Sequence, residues 1–134
     1  MDASDQSQLT LAGLVGVSGF VGATLRYHVS VAIPGLGGTL VVNTLGSFLL
    51  GSFLYVAMYS ERFGPTTRAM ISTGLLGSFT TYSTFAVGTA TTTPFLAVGN
   101  VAATYGLGIA GVLVGRRLAG VVRKRTSSDG VSAW

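Results

Sequence analysis

Four long apolar stretches, separated by turn and charge signals, set the pattern of this chain. They run over residues of about 9–27, 39–59, 68–93 and 95–118. Each is long enough to cross the hydrocarbon core of a bilayer, which takes about 20 helical residues. The breaks between them contain Pro34 with nearby glycines, the polar segment 61–65, and Pro94. The pattern predicts an all-α membrane protein in which one domain, residues 1–134, has four transmembrane helices.

Composition agrees with a membrane location. The chain has eight basic and four acidic residues among 134, and 49% of its residues are hydrophobic. The first eight residues carry no basic group, so we expect the first apolar stretch to be a retained helix and not a signal peptide. Cysteine is absent, which excludes disulfides and thiolate metal sites from consideration. No basic stripe with interleaved aromatic residues is present, so no nucleic-acid partner is expected.

Small residues recur at three- and four-residue spacing in the first and last apolar stretches. Such spacing lets helix backbones approach closely, and in lipid this contact replaces the hydrophobic drive for association. We therefore expect these positions to hold helices together: Gly13, Gly16, Gly19 and Gly22 in the first stretch, and Ala102, Gly106, Ala110, Gly111 and Gly115 in the last. Because the connections are short, helices that follow one another in sequence are expected to be antiparallel neighbours.

Basic residues fall mostly on one side of the predicted bundle. Four spans place both termini on one side, and with them Arg62, Arg68, Arg116, Arg117, Arg123, Lys124 and Arg125, whereas the other side has only Arg26. The positive-inside rule then predicts cytoplasmic termini, with residues 119–134 as a basic cytoplasmic tail. Alternatively, that tail is a solvated segment that touches anionic membrane lipid.

An asparagine lies within the second apolar stretch. An amide in hydrocarbon needs a hydrogen-bonding partner or water, so Asn43 has to face another helix or a hydrated path. Taken by itself, Asn43 is better explained as a link between helices. The third stretch changes that interpretation.

Hydroxyl side chains are concentrated in the middle of the third stretch, at Ser78, Thr80, Thr81, Ser83 and Thr84, just after two glycines. This composition predicts a break in the third helix, and irregular backbone at membrane depth is tolerated only inside protein or beside a wet cavity. The alternative is that the hydroxyls bond to carbonyls of their own helix and bend it. Five hydroxyls in one stretch favour the break.

Aromatic residues recur every three residues through the same segment, at Phe79, Tyr82 and Phe85. An aromatic ring has a positive edge, which can attract an anion without binding it too tightly to release it. Taken alone, an aromatic triplet at this spacing is more often core packing.

Three segments resemble the motifs of the Fluc, or CrcB, fluoride channel family. They are SGFVGATLRY at 18–27, GTLVVNTLGSFLLG at 38–51 and GLLGSFTTYSTF at 74–85. The resemblance implies an antiparallel dimer of four-helix subunits, with two fluoride pathways along the interface and a structural sodium ion at its centre. It further implies passive export of fluoride that accumulates in the cytoplasm.

The resemblance also assigns roles to residues of this chain. Asn43 matches the pore amide, Tyr82 and Phe85 match two aromatic positions beside the pathway, and Arg26 matches a vestibule arginine. Further pathway positions match Thr81, Ser83, Thr84 and Tyr105. The backbone carbonyls that would ligate sodium match Gly77 and Thr80.

Two features depart from the family pattern. Tyr82 stands where the family usually has Phe, so its hydroxyl either donates to fluoride or obstructs the path. The strong charge bias is also unlike members that form antiparallel homodimers. This bias predicts that the chain pairs with an oppositely oriented homologue.

Two other functions compete with a channel. A small multidrug exporter has a similar size, but proton exchange requires a carboxylate within the membrane, and the acidic residues of this chain fall in its tails and one loop. A noncatalytic scaffold subunit would use the same glycine-rich helices. An enzyme is not expected, because His28 is the only histidine and no acidic residue lies near it in sequence.

Overall fold

The computed structural model describes residues 3–129, and within that range all regular secondary structure is helical. The elements are α1 (Ala3–Ala32), α2 (Leu36–Met58), α3 (Pro65–Ala69), a π-helical segment (Met70–Leu76), α4 (Gly77–Phe79), α5 (Ser83–Ala90) and α6 (Pro94–Asp129). Three of these helices are long and apolar enough to span a membrane: Ser4–Ala32, Leu36–Met58 and Pro94–Lys124. The protein is therefore an all-helical, multi-pass membrane protein.

The turn between α1 and α2 differs from the prediction. We expected the first span to end near residue 27, but α1 continues to Ala32 because the residues after Tyr27 are still compatible with a helix. Pro34 then disfavours helical backbone at the residue before it. Gly35 follows with φ +76°, and the backbone of Gly38 lies against the carbonyl oxygen of Ile33. As a result, Arg26 lies within α1, whereas the predicted end of the span near residue 27 would have placed it at the end of the helix.

Helices α2 and α6 pack through glycine. A Cβ atom added at Gly115 would overlap the carbonyl oxygen of Phe48, and one added at Gly51 would lie 2.5 Å from the carbonyl oxygen of Val112. At Gly111 the nearest atom would be the carbonyl oxygen of Thr44, at 3.0 Å. The predicted role of Gly111 and Gly115 in close packing is confirmed.

Helix α1 packs in the same way against the π-helical segment. Gly22 lies against the carbonyl of Leu75, and Gly74 lies against Ser18. For Gly13, Gly16 and Gly106 the packing prediction is wrong within this subunit, because a Cβ atom there would have no neighbour within 4 Å. The closest packing thus joins α1 to the π-helical segment and α2 to α6. Each pair joins helices that are not consecutive in sequence. The short connections had predicted instead that consecutive helices pack together.

The third apolar stretch is interrupted, as predicted. Residues 65–79 form α3, the π-helical segment and α4 in succession. At Thr80 the backbone becomes extended, with ψ 162°, and helical structure resumes only at Ser83. A π-helical turn inside a helix commonly accompanies a functional site. The break therefore leaves α5 as a separate short helix.

Basic residues lie together at the end of the bundle where α2 ends. The guanidinium of Arg68 donates to the carbonyls of Ala57 at 2.6 Å and Phe63 at 2.9 Å. The guanidinium of Arg123 lies 4.3 Å from the centre of the Tyr59 ring. Helix α6 continues through residue 129, so the first part of the predicted tail is helical, and residues 130–134 lie outside the described range.

Candidate functional site

Asn43 binds the backbone at the helix break. Its Nδ2 donates to the carbonyl oxygen of Thr81 at 3.0 Å, and the Thr81 N–H donates to its Oδ1 at 2.8 Å. Both backbone groups of Thr81 are thereby satisfied, although the regular helical ladder is interrupted there. A side-chain amide has two N–H donors, so Asn43 retains one donor beyond this pair of bonds.

The hydroxyl of Thr81 organises the start of α5. It accepts a hydrogen bond from the Thr84 N–H at 3.2 Å and donates to the Thr84 hydroxyl at 3.0 Å. The Ser83 hydroxyl lies 3.4 Å away. Thr81 directly precedes the N-cap residue Tyr82, and its hydroxyl satisfies one backbone N–H of the first turn of α5. The hydroxyl cluster therefore stabilises the restart of the helix after the break.

Three aromatic rings lie next to each other beside the break. The Phe85 ring is 7% exposed, and its centre lies 6.0 Å from that of Tyr105 with the ring planes at 89°. The centre of the Tyr82 ring lies 5.9 Å from that of Phe85, but Tyr82 is 75% exposed. An edge-to-face arrangement directs a positive ring edge toward its neighbour. The pair is thereby held at a defined angle without any formal charge.

A cavity of about 400 Å³ brings most of the predicted site residues together. Its walls include Asn43, Gly77, Thr80, Thr81, Tyr82, Phe85 and Tyr105. The predicted residues Ser83 and Thr84 are exposed and lie outside this lining, as does Arg26. The cavity lining therefore combines an asparagine, residues of the helix break, hydroxyl-bearing side chains and aromatic rings.

Arg26 contacts the break from α1. Its Nη1 donates to the carbonyl oxygen of Thr80 at 3.3 Å, and the residue is half-buried. The positive charge of the guanidinium thus lies beside the extended backbone that links α4 to α5. An arginine so placed contributes positive potential next to the cavity without lining it.

Sequence reasoning missed two polar residues of α6. Thr104 lines the cavity, and its hydroxyl is buried with no hydrogen-bond partner among residues 3–129. Asn100 is 7% exposed, and its Nδ2 donates to the Thr89 hydroxyl at 2.8 Å. Asn100 carries the same signal as Asn43, an amide within an apolar stretch. Thr104 directly precedes Tyr105, which was identified.

Residues 13–116 match the sequence model of the family described as CrcB-like protein, Camphor Resistance (CrcB). The chain belongs to the CrcB family. It is 52% identical over 105 residues to the Fluoride-specific ion channel FluC 1 of Haloarcula marismortui, covering 78% of this chain and 82% of that protein. The Fluoride-specific ion channel FluC 2 of Halobacterium salinarum is 50% identical over 111 residues, with 82% and 87% covered. FluC 1 of Methanospirillum hungatei is 37% identical over 116 residues, with 87% and 81% covered.

Proposed function

We propose that this protein is a subunit of a fluoride-selective ion channel that lets cytoplasmic fluoride leave the cell passively and so lowers its toxicity. The observation that carries this conclusion is the cavity whose lining combines Asn43 with Phe85 and Tyr105. The relatives of this protein in the CrcB family are named as fluoride-specific ion channels, so the protein is a channel subunit and not an enzyme.

The chemistry of the cavity suits fluoride. Fluoride is small, strongly hydrated and a good hydrogen-bond acceptor, so a selective path must replace its water with donors that still let it leave. The remaining N–H of Asn43 is one neutral donor. Phe85 and Tyr105 line the same cavity, and a ring edge not turned toward the other ring would add weak attraction. Hydroxyls at Thr81, Ser83 and Thr84 continue the polar surface past the cavity along α5.

Thr104 supplies a further donor to this path. A buried hydroxyl without a partner carries a desolvation cost of about 1–3 kcal/mol, which an ion or water in the cavity would relieve. Thr104 lines the cavity, so a small rotation of its side chain would bring this hydroxyl within reach of an ion there. Thr104 therefore joins Asn43 as a neutral ligand for a passing anion.

The working channel is an antiparallel dimer of subunits that each cross the membrane four times, with α3 to α5 forming the broken third crossing. Tyr82 and Tyr105 line the cavity yet expose 75% and 57% of their surface, so a second subunit is needed to separate the path from lipid. The basic end of the bundle favours cytoplasmic termini and contact with anionic membrane lipid there. This bias favours an oppositely oriented homologue as the partner.

A structural sodium ion at the break fits the donors that are present. Sodium is a hard cation that prefers oxygen, and Gly77 and Thr80 both line the cavity. Each carbonyl accepts two hydrogen bonds, so the single bonds from Thr80 Oγ1 and from Arg26 leave an acceptor position on each. Bound there, sodium would neutralise these carbonyl dipoles. Residues 3–129 contain no cluster of three or more His, Asp or Glu side chains that would offer another metal site.

Fluoride efflux from liposomes tests the function. We expect fluoride to leave loaded vesicles that contain the assembled channel, with chloride retained. Asn43→Asp places a negative oxygen in the path and Phe85→Ala removes a ring, so each should lower fluoride flux at least about tenfold. Unchanged flux with both variants would favour a scaffold role for this subunit. Drug movement coupled to a pH gradient would favour an exporter.

The choice of partner has its own test. We expect the chain expressed alone to give little fluoride conductance, and expression with an oppositely oriented homologue to restore it. Full conductance from a purified homodimer would contradict the heterodimer. Replacing sodium with a large organic cation should weaken assembly on a sizing column if the ion is structural.

A further inference from the structure

Helix α5 carries Phe85, one of the aromatic residues that line the path, but it is short and separated from the helices before and after it. It has eight residues, about two turns, and a helix of that length is not stable by itself. The break at Thr80–Tyr82 disconnects it from α4, and a turn at residues 91–93 disconnects it from α6. Its position therefore depends on attachments to neighbouring helices.

Two asparagine amides attach α5 near its two ends. At the start, Asn43 of α2 holds the backbone of Thr81. Near the other end, Asn100 of α6 donates to the hydroxyl of Thr89 at 2.8 Å, and Thr89 donates in turn to the carbonyl oxygen of Phe85 at 2.7 Å. Between them, Gly88 lies against the side chain of Leu36.

The bond from Asn100 has a direct relation to the aromatic pair. Helix α6 carries both Asn100 and Tyr105, and α5 carries both Thr89 and Phe85. Any rotation of α5 away from α6 would break the Asn100–Thr89 bond and change the 6.0 Å edge contact between Phe85 and Tyr105. The amide is buried, so loss of its partner would leave a polar group without compensation.

We infer that Asn100 and Thr89 are positioning residues of the fluoride path: their hydrogen bond fixes α5 against α6 and so holds the Phe85 ring at its place beside Tyr105. This inference rests on the channel function proposed above. It assigns no contact between Asn100 and fluoride. A positioning residue of this kind affects throughput and selectivity while the subunit still folds and assembles.

A double-mutant cycle tests this role. Asn100→Leu removes the donor at similar volume, and Thr89→Val removes the acceptor. We expect each to lower fluoride flux about three- to tenfold, which corresponds to the loss of one hydrogen bond. The double variant should be no slower than the slower single variant, because both changes remove the same bond. The ratio of fluoride to chloride flux should fall in parallel.

Two control variants separate positioning from folding. Thr89→Ser keeps a hydroxyl and should keep wild-type flux. Thr91→Val removes a hydroxyl just after the end of α5 that donates to the Val87 carbonyl at 2.9 Å and makes no bond to another helix of the described chain, so it should also leave flux unchanged. Additive losses in the double variant, or wild-type flux in Asn100→Leu, would overturn the inference.

A signal independent of transport completes the test. With 4-fluorophenylalanine at position 85, the ¹⁹F resonance should shift in Asn100→Leu and Thr89→Val but not in Thr91→Val. Equal resonances in all variants would show that the bond does not position the ring, whether or not the wild-type protein conducts fluoride. A shift in a protein that conducts no fluoride would support the positioning role and instead contradict the proposed function.

Discussion

The α2–α6 interface and the break between α4 and α5 solve different problems with small and polar residues. At the interface, the backbones of the two helices touch at Gly51 and Gly115, so neither position has room for a Cβ atom. At the break, Asn43 and Thr81 satisfy backbone groups through side-chain hydrogen bonds. The interface therefore depends on volume and the break on polar atoms. The two regions should respond to opposite kinds of substitution.

The largest effect is expected at the interface. Gly115→Ala places a Cβ atom on the carbonyl oxygen of Phe48, and rigid backbone cannot move aside cheaply. We expect a loss of about 3 kcal/mol or more in stability, at the upper end for overpacked sites. The recovery of monodisperse protein on a sizing column after heating measures it.

Gly106→Ala is the matched control for this variant. It lies on the same helix with no atom within 4 Å of the added carbon. Alanine is favoured over glycine in a helix by about 1 kcal/mol, so this variant should be as stable as wild type or slightly more stable. Equal losses at both positions would show that backbone contact does not govern the interface.

An intermediate effect is expected at the cavity. Thr104→Val removes the unpartnered hydroxyl with little change in shape, so fluoride flux should fall about three- to tenfold while assembly is retained. Liposome efflux at matched protein content measures the change.

Thr44→Val provides the comparison for Thr104. The Thr44 hydroxyl is also buried without a partner in the described part of the chain, but Thr44 does not line the cavity. Its replacement should leave flux unchanged. A similar loss of flux in both variants would assign the effect to packing between α2 and α6.

The smallest effect is expected at the exposed ring. The Tyr82 hydroxyl makes no hydrogen bond to any residue within the range 3–129, and its ring packs near Phe85 through carbon atoms. Tyr82→Phe should therefore change fluoride flux by less than about twofold, under 0.5 kcal/mol. A tenfold loss would instead make the hydroxyl a donor to the anion, and a tenfold gain would make it an obstruction.

Much of the fold was predictable because hydrocarbon imposes strict rules on sequence. The first, second and fourth apolar stretches correspond to the three long helices, and the hydroxyl run after Gly74 and Gly77 correctly predicted a broken helix. The end of α1 was predicted too early, because nothing before Pro34 forbids helical backbone. The π-helical segment has no signal in the spacing of apolar residues.

The types of residue at the site were predictable from the sequence, but their hydrogen-bond partners were not. Asn43 was identified, yet its bonds to Thr81 join positions 38 residues apart, and only the packed helices determine that pairing. Arg26 was expected in a vestibule, and its bond to Thr80 follows from the approach of α1 to the break. Its role toward anions remains a prediction. Asn100 was missed, although it carries the same signal as Asn43, an amide within an apolar stretch.

The length of α6 has a mechanical consequence. Between Pro94 and Arg116 the helix rises about 33 Å, close to the roughly 30 Å thickness of a hydrocarbon core. Arg116 and Arg117 follow directly after this length of helix, and α6 continues beyond them to Asp129. Helix α6 therefore limits how deep the subunit lies in the bilayer, because moving the subunit inward would transfer guanidinium groups into the hydrocarbon core. The level of the broken helix within the bilayer is fixed by a neighbour that is itself unbroken.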